Sequence, residues 1–204
     1  MPGKHTTLRS MHDLGLAAWF GGSLMGAVGV NSAAADVDDP RRRLPTASTG
    51  WARWTPVNAA AIGAHLVGAA GELAVESPRV AFQKGVGTMS TVKTGLTVAA
   101  LAVTGYSRML GRRLENSGEV PAEGTTEPHQ QTPDQVASAQ RQLKALQWAI
   151  PVLTGALVVI TAYAGEQQKP GQVFRGMLNR GRGMAGRAVP MAALAGTARR
   201  FRQR

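Results

Sequence analysis

Charge is absent from four long stretches of this 204-residue chain and crowded into the segments between them. Leu14 to Val30 and Ala145 to Ala164 carry no Asp, Glu, Lys or Arg; Pro56 to Val75 carries only Glu72, and Met89 to Leu110 only Lys93 and Arg108. An α-helix rises 1.5 Å per residue, so about 17 to 22 such residues reach across a hydrocarbon layer roughly 30 Å thick. A backbone in lipid must satisfy its own hydrogen bonds, which a helix does. The pattern therefore predicts an all-α fold, a four-helix transmembrane bundle with spans at about 12–31, 56–75, 89–110 and 145–164. Residues 1–166 form the membrane domain and 167–204 a basic tail. The mean hydropathy of -0.10 is no objection, because it averages apolar blocks with polar loops.

Small residues give these blocks a packing logic. Gly22 and Gly26 stand four apart in the first block, Ala60, Ala64 and Gly68 recur at the same spacing in the second, and Thr91, Gly95 and Ala99 in the third. Such stripes let helix backbones approach closely in lipid. The first block has an alternative reading as a cleaved signal peptide, because Ala33-Ala34-Ala35 follows a basic start, but its glycines make a poor signal core. Pro56 suits the first turn of the second helix. The segment from Asn31 to Thr55, with Asp36, Asp38, Asp39 and Arg41-Arg42-Arg43, reads as a polar linker with nothing to bury. Residues 111–143 read as a polar flexible loop between helices 3 and 4, leading into a helical start at Asp134, and Pro151 is expected to kink the last span.

The formal charge of +11 is concentrated at one end: nine of the 23 cations and none of the 12 acids fall in 169–204, so the rest of the chain carries only +2. Arg175, Arg180, Arg182, Arg187, Arg199 and Arg200 suit anionic lipid headgroups, at about 1 kcal/mol per cation near the surface, or an acidic partner. Nucleic acid is disfavoured, since Phe174 and Phe201 are the tail's only stacking aromatics. Four spans put both termini on one side, here side A. Thirteen cations on side A against nine on side B, tail included, predict that both termini are cytoplasmic. Trp51, Trp54, Tyr106 and Trp148 should form an interfacial belt on side B.

Polar residues inside the spans are the candidates for chemistry. Asn58, His65 and Glu72 are seven apart and share one helical face, with His65 expected near the bilayer middle. Glu72 and Lys93 should pair across the short turn between spans two and three, with His12 and Asp13 near that level. Together they could line a small polar cavity open to side A that binds an ion or proton, or form an interhelical clasp. On this threading His12 and His65 stand ~10 Å or more apart along the membrane normal and cannot share a metal ion. His5 and His129 fall in polar segments. No cofactor or metal site is expected, the chain has no cysteine, and it lacks GxSxG, HExxH and P-loop motifs, so no catalytic assignment is made.

The stretch from His12 to Gly22, with its Trp19-Phe20-Gly21-Gly22 core, resembles the first helix of small four-helix membrane families, including actinobacterial proteins and the copper-resistance CopD group. That resemblance implies a four-span bundle. A copper role would need methionine and histidine clustered on the spans; His12 is the one transferable position.

The function expected from these features is that of a non-catalytic membrane protein, an accessory or scaffold subunit whose partners are membrane lipids, other membrane proteins or a second copy. The alternative is a small transporter or an ion- or proton-conducting component using the polar residues of spans two and three. The chain is expected to stay in the membrane pellet through alkaline carbonate extraction; recovery as a folded, monodisperse species in plain buffer would overturn the membrane reading.

Overall fold

The structure, a computed structural model, describes residues 2–82 and 86–167, with side chains described over 6–74 and 88–164. The tail arginines named above lie outside the described residues. The chain divides into units 1–160 and 161–204, of which the second is described only where it ends the last helix. Apart from an isolated bridge between Ala122 and Pro128, every element among the described residues is helical.

Helix α1 (Pro2–Met25) passes through a π-helical segment (Gly26–Val30) into α2 (Asn31–Ala35) without leaving right-handed helical geometry. Then come α3 (Pro40–Phe82), α4 (Val86–Asn116) and α5 (Asp134–Gln167). Three stretches are long and apolar enough to cross a membrane: Thr6–Ala35, Pro40–Ala74 and Asp134–Ala164. The expected span in α4 is not among them, because Lys93, Arg108 and six Ser or Thr residues dilute its apolar character.

Glycines set the closest helix approach. A Cβ on Gly15 would run into the backbone of Ala61 and His65, and one on Gly68 into the backbone of Leu8 and His12. Helices α1 and α3 thus touch backbone to backbone, antiparallel. Further along the seam, the indoles of Trp54 and Trp51 fill the notches at Gly22 and Gly26. The two tryptophans expected in an interfacial belt are therefore helix-packing residues, and Trp51 Nε1 donates to Asn31 Oδ1 at 2.9 Å. At mid-length Trp19, Ala100 and Ile150 form a buried layer with Ile62, Leu101, Val103 and Leu153, where Trp19 Nε1 donates to Thr104 Oγ1. Phe20 lies against Gly155, bringing α5 onto α1.

Two connecting segments depart from expectation. The polar linker from Asn31 to Thr55 is mostly helix, and Pro56 sits well inside α3. Asp39 caps α3, its Oδ1 accepting the Arg41 N–H at 2.9 Å, and Pro40 takes the first helical position, where its missing N–H costs nothing. Leu44 and Ala47 are then buried against Leu110, Leu114, Ala122, Val136 and Ala139. The segment between α4 and α5 is likewise no solvated loop. It turns at Gly118, whose φ of 70° follows the end of α4, and then folds over the helix ends. The Gln140 amide, fully buried, donates to the carbonyls of Gly124, Thr125 and Glu127. Arg43 ties the two connections together, donating to the carbonyls of Val37, Ala122 and Glu123. The helical start at Asp134 is where the sequence put it.

The seam predicts an asymmetric glycine series. Gly15→Ala and Gly68→Ala should each lower the stability of the detergent-solubilised chain by about 1–3 kcal/mol, since the added methyl meets backbone that cannot rotate away. Gly95→Ala, facing open space, should leave it unchanged or raise it by about 1 kcal/mol, read as thermal unfolding.

Candidate functional site

The glycine contacts decide which polar residues meet. Because Gly68 packs on His12 and Gly15 on His65, the two histidines stand opposite each other on adjacent helices. Their ring centroids are 4.4 Å apart, tilted by 43°. This corrects the expected separation of ~10 Å, which assumed that α1 begins at His12 and α3 at Pro56; both helices start earlier, and their register is shifted accordingly.

Both rings are buried, each at 1% exposure. His12 Nδ1 lies 2.8 Å from Asp13 Oδ1 and donates to it. Asp13 is about half exposed and meets Arg9, one turn earlier, at 3.7 Å. His65 Nδ1 donates to the His12 carbonyl at 3.3 Å, which leaves His65 Nε2 as an acceptor. That atom is sealed from solvent and has no partner. Trp19 stands edge-on to His65, with centroids 6.1 Å apart.

The remaining sequence candidates are arranged differently from expectation. Lys93 precedes Ala100 by seven residues, as His12 precedes Trp19, so Lys93 is level with the histidine pair and its charge reaches the His65 ring. Glu72 lies seven residues beyond His65, about 10 Å further towards the A end, and no ion pair joins it to Lys93. Asn58, seven residues the other way, is half-buried, and its Oδ1 has no partner. The helical face predicted from the spacing is therefore present, but its members sit at three depths and only His65 joins His12. His129 belongs to the folded connection, where its ring accepts the Gln131 N–H and lies 3.7 Å from Glu123.

A second polar network lies at the B end, where Asn31 donates to Gln147 Oε1 at 2.7 Å while accepting from Trp51. Gln147 in turn reaches Thr126 Oγ1 at 3.5 Å. The signal available in the sequence was the pair Asn31 and Gln147 at the edges of two apolar blocks. This network is saturated and reads as structural; the histidine pair is not saturated.

Chemically, two buried imidazoles with one free acceptor and one carboxylate neighbour can hold a proton. A second proton would place like charges about 4.4 Å apart, costing about 4 kcal/mol at an effective dielectric of 20, so the pair takes one. Among the described residues no three His, Asp or Glu side chains converge as a metal set.

Because Nε2 contributes no hydrogen bond and only the long Nδ1 bond to the His12 carbonyl is lost, His65→Leu should change thermal unfolding by no more than about 1 kcal/mol. A loss near 3 kcal/mol would make the ring a structural member of the core. Comparison with family models, with curated proteins and with solved structures finds no match to this chain, so the reading of the site rests on its geometry.

Proposed function

We propose that this chain is a non-catalytic, four-span membrane protein, an accessory or scaffold component whose helix seam binds a proton at His12 and His65. The carrying observation is the sealed, unpartnered His65 Nε2 against a second buried imidazole. An ionisable group at that depth is costly and is a functional candidate by default.

The fourth span in this reading is α4. Its hydroxyls support that role: Thr94 and Thr97 donate to the carbonyls of Ser90 and Lys93, one turn back, so they present no unsatisfied polar atom to lipid. Side chains exposed along the other helices are apolar, among them Val28, Val57, Val67, Val152 and Val159, as a lipid-facing surface requires. The four-span families resembled by His12 to Gly22 fit the same reading. Both termini are cytoplasmic, and the arginine-rich tail grips anionic headgroups or an acidic partner.

A second reading, a proton-conducting component, draws on Asn58, whose unpartnered Oδ1 lies on the same face of α3 one layer deeper than His65.

Imidazole ¹⁵N NMR of the full chain in lipid nanodiscs tests proton binding. On acid titration one protonation shared by His12 and His65 is expected, lost in His65→Ala. Two signals that stay neutral throughout, or titrate independently, would remove the reading.

A further inference from the structure

We propose that the His12–His65 pair is a dead-end proton site: it exchanges with side A through Asp13 and is closed towards side B, so the protein registers the pH of one face without conducting protons. This rests on the proton-binding reading above and adds its direction of access.

The entrance is built from residues already placed. Asp13 is about half exposed, paired with Arg9, and its Oδ1 touches His12 Nδ1 at 2.8 Å. It is the one carboxylate joined to the pair by a hydrogen bond among the described residues, and it links an accessible surface to a ring that is itself buried. From α3 the nearest acid is Glu72, two turns nearer the A end; from α4 the facing charge is Lys93. Helix α5 brings no acid, base or histidine between 145 and 164. Every charged group around the pair therefore lies level with it or on its A side.

Towards B the picture reverses. Seven residues on, about 10 Å along the seam, Trp19 and Ala100 are completely buried and packed with Ile150, Ile62, Leu101, Val103 and Leu153. The Trp19 N–H is already given to Thr104. From that layer to the B end no acid, base or histidine occurs on α1 between Asp13 and Asp36, on α3 between Arg53 and His65, or on α4 between Lys93 and Arg108. Asn58 offers a carbonyl oxygen but no titratable proton. Beyond it the indoles of Trp54 and Trp51 fill the glycine notches of α1. A proton needs a hydrogen-bonded relay, and the polar side chains of this stretch do not join into one: the Ser23 hydroxyl is given to the Phe20 carbonyl, the Trp19 N–H to Thr104, and Asn58 Oδ1 has no partner.

On the proposed orientation side A is the cytoplasm. Protonation adds a positive charge beside Lys93 at the tightest contact between α1 and α3, so the bound proton acts on the seam that holds the two helices together.

The test uses the full chain in two settings. In liposomes loaded with a pH-sensitive dye, a one-unit pH step should give a proton leak within twofold of protein-free liposomes. In nanodiscs, the shared His12–His65 protonation should be present in wild type and weakened about tenfold in Asp13→Asn, as loss of a neighbouring opposite charge requires. A leak tenfold or more above background that falls in His65→Ala would overturn the dead end and leave proton binding intact. Protonation unaffected by Asp13→Asn would overturn the entrance. Absence of the shared protonation would remove the proton-binding reading itself.

Discussion

The contact between glycine and backbone at the α1–α3 crossing is the constraint from which the rest of the structure follows. In lipid, apolar surface gains little by leaving one hydrocarbon environment for another, so helices associate through close packing and hydrogen bonds. Gly15 and Gly68 permit backbone contact at two points one turn either side of the crossing, and two such points fix the register. Once it is fixed, His12 has no choice of neighbour. The same register carries Gly22 to Trp54 and Gly26 to Trp51, and so brings the Trp51 indole to Asn31. One steric condition thus sets both the histidine pair at one end and the saturated polar network at the other.

The helices are longer than a membrane needs, and the excess is used at the B end. Helix α5, of 34 residues, is about 51 Å long, against the roughly 30 Å that a membrane span requires. Leu44, Leu110, Leu114, Val136 and Ala139 lie on these extensions and bury one another with Ala122 from the connection, as in a small water-soluble core. The connection itself is short of apolar residues and is held by polar means: the Gln140 amide inside it and the Arg43 guanidinium beneath it satisfy carbonyls that would otherwise face each other. The chain combines two ways of excluding water, with apolar side chains outward along the middle and inward at the end.

What could be read from the sequence follows this division. Charge-free blocks betray long apolar helices, so the all-helical architecture, the three strongly apolar helices and the packing positions Gly22, Gly26 and Gly68 were legible, whereas Gly95 of the third stripe faces open space. The B-end core was not, because Leu44, Leu114 and Val136 are scattered singly among charged residues and only the tertiary fold brings them together. Asp39-Pro40 does cap a helix, yet the acids before it and the arginines after it suggested a linker. Asn58, His65 and Glu72 do share a face, as their spacing requires, but spacing on one helix says nothing of depth relative to another. That depth came from the glycine register, and starting α1 at His12 rather than Pro2 and α3 at Pro56 rather than Pro40 was enough to separate His12 from His65. Trp51 and Trp54 fill glycine notches that lie on the other helix, a contact that the sequence around the two indoles does not disclose.

A scaffold alone does not account for the histidine pair. Leucine or phenylalanine at position 65 would fill the same volume without stranding a polar atom, and a buried acceptor without a partner costs about 1–3 kcal/mol. Proteins keep such costs where the group has a task that packing does not perform. Asp13 strengthens the case, because a carboxylate half in solvent and hydrogen-bonded to a buried imidazole serves no packing purpose either. Other buried polar atoms, among them Asn58 Oδ1, Thr125 Oγ1 and Gln140 Oε1, also lack partners; His65 Nε2 differs in belonging to a titratable ring that stands against a second buried imidazole. That juxtaposition of an unpaired nitrogen and a second imidazole is what the proposed proton binding rests on.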